Sequence, residues 1–250
     1  MKAIIFAAGL GTRLGHLTKY TPKALVNIGG KTLLERVILK LKQAGVTDII
    51  INVHHFHEQI IDFVNENNFG INITFSIEEN KLLGTGGGLK HAAWFFCDGN
   101  PFIIHNVDII SDIHLREMYD VHCRKDVIAL LAVRNRTTQR YLLFDDENRL
   151  CGKENLSTNE RIITPDTSPQ TTLHRMAFSG IHIVSPRIFE FMPQGEDVFP
   201  ITDIYLKIAS NVHAYQHDYG KWMDMGKIET VTDFQKLIKE EEEKDFRNDL

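Results

Sequence analysis

The sequence predicts an α/β protein built on a parallel sheet. Short apolar runs recur at Ala3–Ala7, Asp48–Val53 and Pro101–Val107, segments at helical spacing lie between them, and a glycine turn follows the first run directly. A continuous apolar run is the form of a strand buried on both faces. Strand, helix and strand in that order imply parallel neighbours joined by a right-handed crossover.

The elements follow in order. After the first strand, Ile28-Gly29-Gly30-Lys31 reads as a turn and Thr32 as a helix N-cap. Leu33, Leu34, Val37, Ile38 and Leu41 recur at helical spacing through Gln43, and Gly45 closes that helix. The second strand is Asp48–Val53. His54, His55 and His57 come next; without a Cys or carboxylate at zinc-site spacing they read as a polar loop before a helix over 58–65. Ile71–Ile77 alternates with period two and is a strand. The run Lys81–Gly88 reads as a glycine loop and Leu89–Phe96 as a helix. The strand over 101–108 ends on Asp108. A strand over 126–133, a hairpin over 141–151, a polar loop over 153–175 and a strand over 177–184 come after it. A helix begins at Phe199–Asp203, a strand covers 212–217, and the closing helix runs over 229–246 with Glu240–Glu243 as a solvated face.

Length and composition narrow the function. The 250 residues fit one large domain or a core with an inserted lobe. The net charge of −5 argues against general nucleic-acid binding, so an anionic ligand must meet a local positive site. Cys97, Cys123 and Cys151 form no C-x-x-C pair, which suits reduced thiols. No apolar run approaches the roughly 18 residues of a membrane span. Lys2 and the apolar residues after it imitate a signal peptide, but the run ends in Gly-Thr-Arg without a cleavage region. A cytoplasmic protein is expected.

The chemistry gathers at the amino terminus. In Ala8-Gly9-Leu10-Gly11-Thr12-Arg13 two glycines let main-chain N–H groups turn inward and a ligand approach closely. Arg13 adds a planar cation suited to phosphate oxygens, and Thr21-Pro22-Lys23 adds a second. Together they suggest a polyphosphate cradle. The P-loop pattern is absent, and the dinucleotide fingerprint fails because Leu14 replaces its third glycine. Asp108, at the carboxyl end of a buried strand, lies where open α/β sheets bind ligands. Its carboxylate suits Mg²⁺, the lesser alternative being a cap on Ile109–Ser111. Asp112 and His114 are weaker candidates.

Ala7-Ala8-Gly9-Leu10-Gly11-Thr12-Arg13-Leu14 with Thr21-Pro22-Lys23-Ala24-Leu25-Val26 resembles the signature of the sugar-phosphate nucleotidyltransferases. His16 and Asn27 stand where that family often has proline, and Val107 where it usually has glycine before the Asp. The resemblance implies a Rossmann-like three-layer α/β/α fold with a mostly parallel mixed sheet, of the nucleotide-diphospho-sugar transferase type. It implies a nucleotide-binding half over about 1–125, a sugar-binding lobe over about 126–228 and a C-terminal helix. It places the nucleotide at Ala8, Gly9, Gly11, Thr12, Arg13, Gly86, Gly87 and Asn106. The sugar phosphate falls at Lys23, Ser179 and Gly180, with Lys153 and Glu154 as weak additions. The Gly of Phe178-Ser179-Gly180-Ile181 either leaves room for the sugar or marks a bulge. Trp222-Met223-Asp224-Met225-Gly226 resembles the family's W-x-D-x-G, which makes Asp224 a metal ligand beside Asp108, with Mg²⁺ as the cofactor.

The implied reaction joins a nucleoside triphosphate to a sugar 1-phosphate and releases pyrophosphate, with Arg13 and Lys23 as catalytic cations. The motif order is most similar to N-acetylmuramate-1-phosphate uridylyltransferases. Mannose-1-phosphate guanylyltransferases and phosphocholine cytidylyltransferases are alternatives, and an idle nucleotide-binding subunit is a reading of another class. No nucleic-acid or membrane partner is expected.

Overall fold

The computed structural model describes residues 1–248. The chain forms β1 (Lys2–Phe6), β2 (Asn27–Ile28), β3 (Lys31–Thr32), α1 (Leu33–Gln43), β4 (Asp48–Val53), α2 (His57–Glu66), β5 (Asn72–Ile77) and α3 (Gly84–His91). Next come β6 (Phe102–Asn106), β7 (Ile109–Ser111), α4 (Leu115–Arg124), β8 (Ala129–Arg134), β9 (Arg140–Phe144), β10 (Leu150–Asn155) and β11 (Glu160–Ile163). The last are β12 (His174–Val184), α5 (Ile201–Lys207), β13 (Val212–Gln216), β14 (Trp222–Asp224) and α6 (Ile228–Asn248).

The main sheet runs β11-β10-β9-β12-β6-β1-β4-β5, with β8 pairing β12 and β13. Its parallel part is β6-β1-β4-β5, whereas β12 joins β6 antiparallel. Alternation along β1 divides the interior. Ile4 packs with Ile50, Ile104, Leu89, Ile201 and Ile204 under α3 and α5. Ala3 and Ile5 pack with Ile49, Ile51, Leu34, Ile38, Ile60 and Met118 under α1, α2 and α4. Successive side chains of a strand point to opposite faces, so an unbroken apolar strand requires helices on both sides. The fold is thus the expected mixed three-layer α/β/α arrangement.

A third cluster matters more for the site. Leu14, Val26, Ile28, Leu33, Met225 and Val231 are buried together, with Ile228, Phe234 and Ile238 against them. This small core ties the segment after the glycine turn, the β2–β3 hairpin, the segment after β14 and α6 into one unit.

Several sequence expectations are corrected. The glycines of 84–88 do not lie in a loop: α3 starts at Gly84 and ends at His91, and a 3-10 helix covers Ala93–Phe96. Helical spacing of the glycines was masked by their low propensity, which tertiary packing overrides here. The polar stretch 153–175 holds the end of β10 and all of β11, an edge strand exposed along its length. The strand expected over 126–133 is shifted to Ala129–Arg134. Both β7 and β14 were too short to show as periodic runs. Of the solvated face expected at 240–243, Glu240 is exposed and the other side chains lie outside the described residues. Among the described residues no helix is long and apolar enough to cross a membrane.

Candidate active site

The site lies beyond the carboxyl ends of β1 and β6, neighbours in the sheet whose last residues, Phe6 and Asn106, are in register. Ala8 is buried, whereas Gly9, Thr12 and Arg13 are exposed. No acceptor among the described residues receives the N–H of Gly9, Leu10 or Gly11. Unpaired N–H groups in a turn form a concavity suited to an anion. Gly11 has φ 68°, and a Cβ there would lie 3.0 Å from Lys23 Cβ and 3.1 Å from Thr18 Cγ2. Gly11 is therefore required both by the left-handed backbone and by the close approach of Lys23. Around Gly9 nothing lies within 4 Å of the Cβ position.

Pro22, with φ −62°, leads into a 3-10 helix at Lys23–Leu25. Lys23 is 8 % exposed, and its Nζ donates to Asp108 Oδ2. An ammonium held this far from water needs such a partner.

Asp224 reaches the same place through the backbone. β14 pairs β7 antiparallel, with Asp224 opposite Ile109, and Met225 N–H donates to the Asp108 carbonyl at 2.8 Å. Asp224 Oδ1 accepts from Gly226 N–H at 2.8 Å. A Cβ on Gly226 would lie 2.5 Å from Arg13 Nη2, 2.7 Å from Asp224 Oδ1 and 3.1 Å from Lys23 Nζ. One point thus lies beside two cations and a carboxylate, with Asp108 bound to one of the cations.

Asp108 and Asp224 supply the hard oxygen donors that suit Mg²⁺, which takes one or two carboxylates and completes its shell with phosphate oxygens and water. Among the described residues no group of three or more His, Cys, Asp or Glu is arranged to hold a metal unaided. The donor set therefore fits a cation that arrives with, or is completed by, a phosphate ligand. Asp112 is drawn to another task, its Oδ2 accepting from Lys221 N–H at 2.7 Å. His114 precedes α4, and the rings of His54 and His57 bond to the carbonyls of Glu78 and His54.

Two expected contacts take a different form. Gly86 and Gly87 donate their N–H groups to the Phe199 carbonyl at 2.9 and 3.2 Å. A Cβ on Gly86 would lie 2.4 Å from the Phe199 ring, and one on Gly87 would lie 1.9 Å from the Asp197 carbonyl oxygen. These glycines are accounted for by close packing of α3 on the 197–199 segment, and their N–H groups are already spent. Ser179 is fully buried and hydrogen-bonded to His217 Nε2 at 2.7 Å, and Gly180 is buried with φ 75° beside Asn106 Nδ2. The β12–β8 register shifts between Phe178 and His182, so this glycine marks a bulge. The pair supports the site from beneath: the Ser179 carbonyl accepts from Trp222 Nε1 at 3.0 Å.

Sequence reasoning missed three participants. Glu78, buried after β5, accepts from Asn52 Nδ2 at 2.9 Å and Leu83 N–H at 2.8 Å, fixing the approach to α3. Its signal was the polar pair at the ends of adjacent strands. His217, held near pKa 4 by burial and by Arg134, anchors Ser179 in its neutral form. Arg136, just past the end of β8, has its guanidinium 4.3 Å from the Trp222 ring centroid. An Arg-Asn-Arg step at a strand end was the available hint.

Fold and site together define an α/β protein in which a glycine turn and two cations stand beside two carboxylates. A family model described as nucleotidyl transferase matches residues 2–241, and the chain belongs to that family. It is 30% identical over 234 residues to a mannose-1-phosphate guanyltransferase of Yarrowia lipolytica, covering 90% of this chain but 61% of that relative's length. It is 29% identical over 241 residues to an N-acetylmuramate alpha-1-phosphate uridylyltransferase of Neisseria meningitidis serogroup B, covering 95% of this chain and 98% of that one. Among solved structures, HddC from Yersinia pseudotuberculosis, complexed with GMP-PN, is similar with a TM-score of 0.74 and 25% identity. That match covers 94% of this chain and 98% of HddC.

Proposed function

We propose that the protein transfers a nucleoside monophosphate from a nucleoside triphosphate to a sugar 1-phosphate, releasing pyrophosphate. The observation that carries this reading is the crowding of Arg13, Lys23 and Asp224 around Gly226, with Lys23 on Asp108. A phosphate oxygen of the acceptor attacks the α-phosphorus, the bond to the β-phosphate oxygen breaks, and pyrophosphate leaves. Such transfer depends on positioning and charge neutralisation rather than on a protein nucleophile. Arg13 and the N–H groups of Gly9–Gly11 hold the departing phosphates. Lys23 offsets repulsion between the attacking and attacked phosphates as charge develops. The acceptor phosphate is already ionised near neutral pH, so no residue needs to remove a proton.

Asp108 and Asp224 would hold Mg²⁺, which when bound neutralises phosphate charge and polarises the phosphoryl oxygens. UTP with N-acetylmuramate 1-phosphate, or a related hexose phosphate, is the favoured pair. The relative of that name is matched over 98% of its length, whereas the guanyltransferase is matched over 61%.

A pyrophosphate-release assay across four nucleoside triphosphates and a panel of sugar phosphates tests the proposal. Fastest release with UTP and N-acetylmuramate 1-phosphate is expected. Fastest release with GTP and mannose 1-phosphate would replace the substrate pair, and no release from any combination would reject the reaction.

A further inference from the structure

Arg136 is held as a recognition group is held. β8 ends at Arg134, and Arg136 follows two residues later. Its guanidinium lies over the Trp222 ring at 4.3 Å, and Nη2 donates to the Phe178 carbonyl at 3.1 Å. The indole is fixed in turn, because Trp222 Nε1 donates to the Ser179 carbonyl at 3.0 Å. One face and one corner of the guanidinium are thereby committed. Its Nε is buried and has no hydrogen-bond partner among the described residues. Such a donor costs stability unless a ligand completes it.

The surrounding charges point the same way. Burial draws the Arg136 pKa down, while the field of Asp224 raises it. The guanidinium therefore stands close enough to the proposed metal ligand to feel its charge, and it arrives from β8 rather than from the glycine turn. Arg13 and Lys23 already serve the triphosphate side. A further cation, supplied by the segment after β8 and with an unpartnered Nε, suits a second anionic substrate.

We propose that Arg136 is a specificity-determining residue that binds an oxyanion of the acceptor, using the Trp222 face to hold its fork in place. This assignment rests on the nucleotidyl-transfer reading for the identity of the acceptor. The oxyanion has two sources, the phosphate common to all sugar 1-phosphates or the carboxylate of an acidic sugar.

Calorimetric titration of the parent protein, Arg136→Gln and Arg136→Lys with glucose 1-phosphate, N-acetylmuramate 1-phosphate and UTP separates these cases. In Arg136→Gln, acceptor affinity is expected to fall tenfold or more, with UTP affinity within twofold. Arg136→Lys restores part of the loss, since an ammonium keeps charge but not the stacked fork. Equal weakening of both acceptors assigns the phosphate; weakening of the acidic acceptor alone assigns the carboxylate. Unchanged acceptor affinity, a matching loss of UTP affinity, or no acceptor binding by the parent protein overturns the proposal. Acceptor binding that depends on Arg136, without pyrophosphate release from any pair, would sink the reaction and leave this assignment standing.

Discussion

Met225 N–H donates to the carbonyl of Asp108 at 2.8 Å, one step beyond the pairing of Asp224 with Ile109. Two carboxylates remote in sequence are thus placed by a main-chain ladder, independent of their own side-chain torsions. A ladder of this kind holds position without requiring the carboxylates to attract one another.

Gly226→Ala tests that arrangement directly. Its Cβ would come within 2.5 Å of Arg13 Nη2 and 2.7 Å of Asp224 Oδ1, both ends of side chains that can swing away. The fold should survive, with a melting temperature within a few degrees of the parent. Pyrophosphate release should fall on the order of 10²-fold, because ångström-scale misplacement of charge is expensive in transfer chemistry.

Lys23 and Asp108 should behave as a coupled pair. Lys23→Ala strands a partly buried carboxylate, and a loss of about 1–3 kcal/mol is expected, below that for a fully buried pair. Lys23→Ala/Asp108→Asn should regain part of that stability in urea unfolding. Neither variant should turn over at more than about one hundredth of the parent rate, in line with the loss of a transition-state charge contact. Near-parental turnover by either, at saturating substrate, would exclude the assigned roles.

The glycines separate ligand space from packing space. Gly87→Ala drives a methyl group into the Asp197 carbonyl and should cost about 3 kcal/mol in chemical denaturation. Gly9→Ala meets nothing within 4 Å and should leave stability nearly unchanged. Its effect should appear instead as weaker triphosphate binding in calorimetry.

Three histidines set an acid limit. Burial holds His105 and His217 near pKa 4 and His182 near 3, all below the value of about 6.5 in an unfolded chain. Between those values the unfolded chain binds the extra protons, so stability is complete above about pH 6.5 and falls as pH drops toward 4. Urea midpoints measured from pH 7.5 to 4.5 should decline over that interval. A flat profile would show that the three rings are not held neutral.

Divalent-cation removal should stop turnover without unfolding. Chelation is expected to abolish pyrophosphate release, with full recovery on Mg²⁺ addition and an unchanged far-UV spectrum. Asp224→Asn should raise the Mg²⁺ concentration needed for half-maximal rate, since one of two hard donors is weakened.

The N-terminal strand, α1 with its Thr32 cap and the closing helix were legible because hydrophobic period and capping are local properties. Thr32 indeed accepts from Glu35 N–H at 3.0 Å. The glycine run was misread for the opposite reason. Gly86 and Gly87 are small because Phe199 and Asp197 lie against them, and those partners are more than a hundred positions away. Ser179 and Gly180 carry the same lesson, since the bond of the hydroxyl to His217 and the bulge at Gly180 depend on segments remote in the chain.

The sequence alone determined the alternation of strands and helices, the cation-bearing glycine turn and Asp108 at a strand end, because period, φ preference and charge belong to individual residues and their near neighbours. Asp224 was legible only through the resemblance of its W-x-D-x-G run to a family motif. Only the tertiary structure decided which glycines leave room for a ligand and which for Phe199, and brought Arg136 over Trp222 beside Asp224. Those outcomes depend on contacts between segments that the chain order does not place together, and a contact has no signature in either segment read by itself.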